Sequence, residues 1–243
     1  MILLSSCKKE EDEVEPPRDY QEQSLVDDEN IDDFLSSHFY NYDDFLDLNY
    51  RSDLIFDTIS GDNASKIPLI NQVKKEVVRI QTSEGNFVDH NLYYLIAREG
   101  IGIKPATSDS IYLSYEGNLL NGYSFDSSKT PIWFDLTQLV RGFREGASEF
   151  KSGDFIVNDD NTVEFYGYGQ GALFFPSGLG YFNQSLGLVP SYSPLIFKVK
   201  LYLVNQTDHD GDGIPSSDEY DNDSDGRPDD TDQDGIPDYL DSD

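Results

Sequence analysis

Cysteine is nearly absent from this 243-residue chain. Cys7 is the only one, so no disulfide can close within it. Positive charge is also scarce: 17 Lys and Arg stand against 47 Asp and Glu, a formal net charge of −30. That balance argues against a nucleic-acid partner, because neutralising phosphates takes clustered Lys and Arg. It argues equally against docking on anionic lipid through protein charge. Long apolar runs are missing; none approaches the roughly 20 residues of a transmembrane helix. Histidine is limited to His38, His90 and His209, far apart and without metal-ligand spacing. "GYGQG" at 167–171 has the glycines of a phosphate loop but no Lys and no following helix signal, so it reads as a flexible turn.

Aromatics are plentiful, with 16 Tyr and 15 Phe, enough to build a core. The acid is concentrated in the first 50 or so residues and the last 40 or so, as solvated tails are. Leu25, Ile31, Phe34, Leu35, Phe39 and Phe45 recur at helical spacings, with Asp27 or Asp28 as a cap. One or two helices are expected there, packed on the main domain. From residue 72 the period changes. "VKKEVVRI", "HNLYYLIARE", "DSIYLSYEGNLL", "PIWFDLT" and "PLIFKVKLYLV" read as strands, bounded by Gly, Asn, Asp or Pro. One helix interrupts them, "LTQLVRGFREGASEF", with Leu139, Val140, Phe143 and Ala147 on one face. The expected fold class is α+β, a twisted antiparallel sheet wrapped on one central helix.

"MILLSSCKKEEDE" resembles the end of a bacterial lipoprotein signal peptide, with Cys7 the lipidated residue. Six residues precede it, fewer than the roughly 7–15 apolar residues of a signal core. The resemblance implies a lipid anchor to the outer membrane, periplasmic or surface-exposed.

The region from about 88 to 204 resembles the FKBP-type peptidyl-prolyl cis–trans isomerases, through four motifs in the family's order. These are "LSYEGNLLNGYSFDSS", "LVRGFREGASEFKSGD", "FFPSGLGY" and "LVPSYSPLIFKVKL". The resemblance implies a catalytic pocket of Tyr115, Phe125, Asp126, Leu139, Val140, Phe143, Tyr181 and Phe197. It adds Val189, and Ile132 or Trp133, as substrate-binding positions. It also implies no cofactor for catalysis, and proline-containing exported polypeptides as partners. This chain departs from the family in four places. The connection before the helix is shorter than usual. Phe143 stands where Trp is usual, "FIVNDDNTVEFYGYGQGAL" is inserted before the flap, and Phe182 follows Tyr181.

The chemistry such a site performs needs no nucleophile. Rotation about an amide meets a barrier of about 18–20 kcal/mol because resonance is lost on twisting. A site that binds the twisted form better than either planar form lowers that barrier. Aromatic walls suit the less polar twisted amide, and Asp126 would orient it with Tyr115 as partner. Read from local sequence alone, Asp126 serves equally well to cap the turn with Ser127 and Ser128.

The acidic end has its own order. Asp208, Asp210, Asp212 and Gly213 are closed by Glu219. The pattern recurs as Asp221, Asp223, Asp225 with Asp232, and as Asp230, Asp232, Asp234 with Asp241. Alternating carboxylates followed by Gly form the template of a calcium loop. Without flanking helices the spacing resembles thrombospondin type 3 repeats, which implies structural Ca²⁺ in a loop-only tail that is disordered without the ion.

The expected organisation is therefore 1–27 signal end and acidic tether, 28–67 helical segment, 68–204 isomerase domain and 205–243 calcium repeats. The functional expectation is a cell-envelope isomerase that assists folding of exported proteins. The alternative is a catalytically weak FKBP-fold chaperone or peptide-binding surface module.

Overall fold

In the computed structural model the described residues are 16–46, 52–82, 85–222 and 226–242. The chain opens with helix α1 (Tyr20–Ser37), then β1 (His38–Tyr40) and β2 (Phe56–Thr58), which pair with each other. Next come β3 (Lys74–Gln81), β4 (Phe87–Arg98), β5 (Ser110–Leu119) and β6 (Ser124–Asp135). Helix α2 (Arg141–Ala147) follows, then a hairpin of β7 (Asp154–Val157) and β8 (Val163–Tyr166), then β9 (Gly169–Phe175) and β10 (Leu195–Asn205). Six of these strands form one sheet in the order β3-β4-β9-β10-β5-β6, with every neighbouring pair antiparallel. The result is an α+β fold, a twisted antiparallel sheet with helices.

Strand alternation sends two apolar sets to opposite faces. Leu92, Tyr94, Leu173, Phe175 and Phe197 face α2, where Phe143, Ala147 and Phe150 complete one cluster. Tyr93, Leu95, Ala172, Phe174 and Ile196 face the N-terminal segment and pack with Ile31, Phe34 and Leu35 of α1. Both faces of the central strands are therefore covered, and every residue of β9 is buried.

Several sequence expectations need correction. Gly169–Gly171 is not a flexible turn but the start of β9, paired to β4 and β10. Only 154–166 of the insertion is an added hairpin. Helix α1 starts at Tyr20, and its N-cap is Asp19, whose side chain accepts from the Glu22 N–H at 2.9 Å. Asp27 and Asp28 lie in mid-helix, so the segment before it is shorter than the 27 residues expected. Leu25 is exposed rather than part of the buried stripe. The second helix is only seven residues long, because Leu139 and Val140 are extended and Leu136–Gln138 is a separate 3₁₀ turn capped by Asp135. The helix gains close approach in exchange: a Cβ on Gly142 would lie 2.4 Å from the Phe175 ring, and one on Gly146 2.6 Å from Leu173.

The acidic end docks on α2. Arg144 donates to the Tyr220 hydroxyl, and both Arg141 and Arg144 donate to the Gly226 carbonyl. Tyr220 and Tyr239 are buried against each other at 5.0 Å, and Tyr239 meets His209 edge-on. The tail thus has a small apolar anchor that its acidic composition concealed. Its described residues hold two 3₁₀ turns, Ser216–Asp218 and Asp238–Leu240. Among the described residues no helix is long and apolar enough to cross a membrane.

His90 gives the fold a pH dependence. It is 1% exposed, has no hydrogen-bond partner at either ring nitrogen among the described residues, and abuts Gly178. Burial lowers its pKa from 6.5 to about 4, against the weaker pull of Asp89. The folded-state pKa lies below the unfolded one. Between pH 6.5 and about 4 the unfolded chain therefore takes up a proton that the folded chain refuses. Stability should fall across that window, by about 3 kcal/mol in all. Comparing urea unfolding of the wild type and His90→Leu at pH 7 and 4.5 checks this. The variant should lose less stability on acidification; equal losses would refute the assignment.

Candidate active site

Tyr115 and Asp126 come together as expected. The tyrosine hydroxyl donates to Asp126 Oδ2 at 2.7 Å. Their meeting depends on strand register. Gly117 pairs with Asp126, but the next pair is Asn118 with Ser124, so Phe125 is an extra residue on β6. In a regular strand Phe125 and Asp126 would face opposite sides. The bulge at Phe125 re-aims its ring, and both residues reach the same pocket. Gly117 completes the arrangement, because a Cβ there would lie 2.7 Å from the Phe125 ring and 3.0 Å from that of Phe197.

Phe197, projecting from β10 on this face, is the hub. Phe125 meets it edge-on at 5.5 Å and Phe143 at 5.0 Å, while Tyr115 lies tilted at 6.3 Å. Phe175 stacks parallel to it at 5.8 Å. Leu139, Val140 and Tyr181 pack against the same cluster half-buried, and Val189 is buried within it. Burial pushes the Tyr115 hydroxyl pKa up, with the hydrogen bond and charge of Asp126 adding to the effect. Tyr181 is raised by burial and then by the Asp126 charge, which places its ring within electrostatic reach of the same carboxylate.

Two expected positions differ. Trp133 is half-exposed and lies 5.2 Å from Tyr112. That ring belongs to a separate aromatic group with Phe165 and Tyr202, away from the cluster around Phe197. Ile132 is half-buried but is not among the residues packed on the Phe197 cluster. The wall is supplied instead by Phe134, 5.4 Å from Tyr115 and 6.4 Å from Phe143. Sequence reasoning missed Phe134 and also Phe175. Phe134 falls two residues after Ile132, so strand alternation alone placed it on the face opposite Trp133.

Of the acidic loop residues, Asp208, Asp210 and Asp212 can bring one oxygen each to within 4.8 Å of one another, as can Asp230, Asp232 and Asp234. Asp210, Glu219, Asp221 and Asp230 each present one buried carboxylate oxygen with no hydrogen-bond partner among the described residues. Cys7, Asp223 and Asp225 lie outside the described residues.

A cluster of aromatic rings beside a tyrosine–carboxylate pair is the class of surface that can hold an apolar ring and the polar amide next to it. The family comparison agrees with this class. Residues 102–202 match the family described as FKBP-type peptidyl-prolyl cis-trans isomerase. The probable FKBP-type peptidyl-prolyl cis-trans isomerase FkpA of Neisseria meningitidis serogroup B is 32% identical over 117 residues, 46% of this chain and 38% of that protein. FkpA of Aeromonas hydrophila is 28% identical over 159 residues, 64% of this chain and 51% of that protein. The chain thus spans about half or less of the length of these relatives. A solved peptidyl-prolyl cis-trans isomerase from Pseudomonas syringae pv. tomato is 23% identical, with a TM-score of 0.40, over 53% of this chain and 81% of the other.

Proposed function

We propose that the protein is a peptidyl-prolyl cis–trans isomerase that assists folding of exported proteins in the cell envelope. The observation that carries this reading is the Tyr115–Asp126 pair set beside the ring cluster on Phe197, within a region that matches the family. A proline ring enters between Phe125, Phe134, Phe143 and Phe197. The apolar walls favour the twisted amide, whose carbonyl has lost part of its resonance dipole. Asp126, held by Tyr115, fixes the orientation of the reacting amide and transfers no proton. The Tyr181 hydroxyl holds a flanking carbonyl. Leu139, Val140 and Val189 close the floor. No cofactor enters any of these steps.

An uncatalysed Xaa–Pro bond isomerises in about 10–100 s. The full chain should shorten that time in a protease-coupled peptide assay. Asp126→Ala should lower kcat/KM by about 10-fold, the size of a positioning effect. Unchanged kcat/KM in a folded variant would reduce Asp126 to a turn residue.

The acidic tail, residues 205–243, is read as a calcium-binding module. Its donor set fits a hard cation that takes six to eight oxygens. The Glu219 carboxyl pKa is raised by burial and then by the charges of Asp212, Asp210 and Asp208, a crowding that a divalent cation would relieve. Titration with Ca²⁺ should show binding at roughly 10⁻⁴–10⁻³ M, the range of extracellular modules. A combined Asp208→Asn and Asp230→Asn variant should weaken it at least about 10-fold. No binding at millimolar Ca²⁺ would contradict the reading. The envelope location rests on the signal-like context of Cys7, through which a lipid anchor would attach; mass spectrometry of the mature N-terminus would decide it.

A further inference from the structure

Residues 176–192 form the flap that carries Tyr181, and little within it holds it in place. It has one 3₁₀ turn (Ser177–Leu179), an isolated bridge between Leu186 and Val189, a turn bond from the Gln184 N–H to the Tyr181 carbonyl, and two backbone bonds spanning longer loops. These run from the Phe182 N–H to the Ser177 carbonyl at 2.8 Å and from the Tyr192 N–H to the Phe182 carbonyl at 2.6 Å. A loop so poor in ladder bonds takes its position from what it touches. Here it touches the main core, through Leu179, Tyr181 and Val189, and also α1 and the residues just before that helix.

Three contacts tie it to α1 and the residues just before that helix. Asp27 is fully buried, and its Oδ2 accepts from both the N–H of Ser177 at 2.8 Å and its hydroxyl at 2.6 Å. The other oxygen accepts from the Gln23 side chain at 2.7 Å. Further along, the Tyr20 ring stacks on Phe182 at 3.7 Å. Phe182 has φ +46°, a left-handed conformation unusual for a non-glycine residue, so a ring held from both sides helps keep the backbone there. At the far end the Tyr192 hydroxyl accepts from the Arg18 N–H at 3.0 Å, and the Arg18 guanidinium lies 4.5 Å over the Tyr192 ring. Tyr181 lies in the span between Ser177 and Phe182. Packing a helix on a sheet needs no buried carboxylate, and desolvating one is costly unless its oxygens are fully hydrogen-bonded. Asp27 meets that condition by fixing one turn of a distant loop.

We propose that Asp27 is a positioning residue of the isomerase pocket: through Ser177 it sets the flap and so the place of Tyr181. The proposal rests on the isomerase reading. On this account α1, although it lies outside the region that matches the family, is part of the working pocket.

The test uses the full chain with Asp27→Ala, Ser177→Ala, the double variant and Asp27→Asn. Each is assayed well below its melting temperature, with the folded fraction measured. Each alanine variant should lower kcat/KM for an Xaa–Pro peptide by about 10-fold. The double variant should be little worse than either single one, because both remove the same interaction. Asp27→Asn retains one acceptor for Ser177 and should recover part of the loss. Tyr20→Ala, a milder change, should act in the same direction if Asp27→Ala does not fold. Wild-type kcat/KM in folded variants with lowered melting temperatures would overturn the proposal, since that is what a merely structural role gives. Amide hydrogen exchange separates this from failure of the isomerase reading. If the wild type does not isomerise, that reading fails, and exchange still decides the flap claim. Faster exchange confined to 177–182 in Asp27→Ala supports the claim; uniform or unchanged exchange overturns it.

Discussion

Phe197→Ala should lower kcat/KM for an Xaa–Pro peptide by about 100-fold or more. This ring touches those of Tyr115, Phe125, Phe143 and Phe175, so its loss removes the surface against which the pocket is assembled. A misplacement of about 1 Å in a binding wall can alone cost about 100-fold. The same truncation leaves a cavity in a cluster where Phe197 is 6% exposed. A buried Phe→Ala costs about 3–5 kcal/mol, a large share of the roughly 5–15 kcal/mol that holds a domain folded. The activity loss must therefore be read beside a partner variant. Phe197→Leu retains most of the volume and should cost less than about 1.5 kcal/mol. It lacks the flat ring that Phe125 and Phe143 meet edge-on, and should still lose about 10-fold in kcat/KM. Full activity of a folded Phe197→Leu would show that the ring geometry is not what grips proline.

Gly171→Ala should prevent folding or cost more than about 4 kcal/mol, a loss reserved for few mechanisms. A Cβ at this position would lie 1.8 Å from the Leu95 carbonyl oxygen and 2.9 Å from the Phe150 ring. The first of these is backbone, in a strand hydrogen-bonded to β9, so no side-chain rotation relieves the clash. On its other edge β9 is held by β10, which leaves it no direction in which to move. Urea unfolding within about 1 kcal/mol of wild type would contradict this account of the β4–β9 contact.

The parts of the fold that were legible in the sequence are those whose pattern is local. In "LIFKVKLYLV" Leu195, Phe197, Val199 and Leu201 alternate with less buried residues in the second half of the run, and β10 follows. β9 has no such alternation, because α1 covers one of its faces and α2 the other. Its Gly171 is set by close approach of Leu95 in β4, a contact between residues far apart in the chain. The sequence offers Asp27 or Asp28 as the cap of α1, and the structure uses Asp19 instead. What decided among them is that Asp27 has a partner 150 residues away. Phe134 rather than Trp133 forms the wall because it pairs with Ile111 on the core face of the sheet, whereas Trp133 pairs with Tyr112 on the other. The Tyr115–Asp126 pair was legible only through the family resemblance. Nothing local distinguishes that acid from a turn cap, and the bulge at Phe125 that makes the difference depends on pairing.

The central claim is that the pocket turns over proline bonds rather than merely holding them. Exchange spectroscopy by NMR on an Xaa–Pro peptide, with substoichiometric full-length chain, tests it most directly. The account predicts cis–trans exchange cross-peaks that are absent without protein and lost with Phe197→Ala. Peptide shifts that report binding, with no exchange cross-peaks from a folded wild-type chain, would contradict it and leave a peptide-binding module in its place.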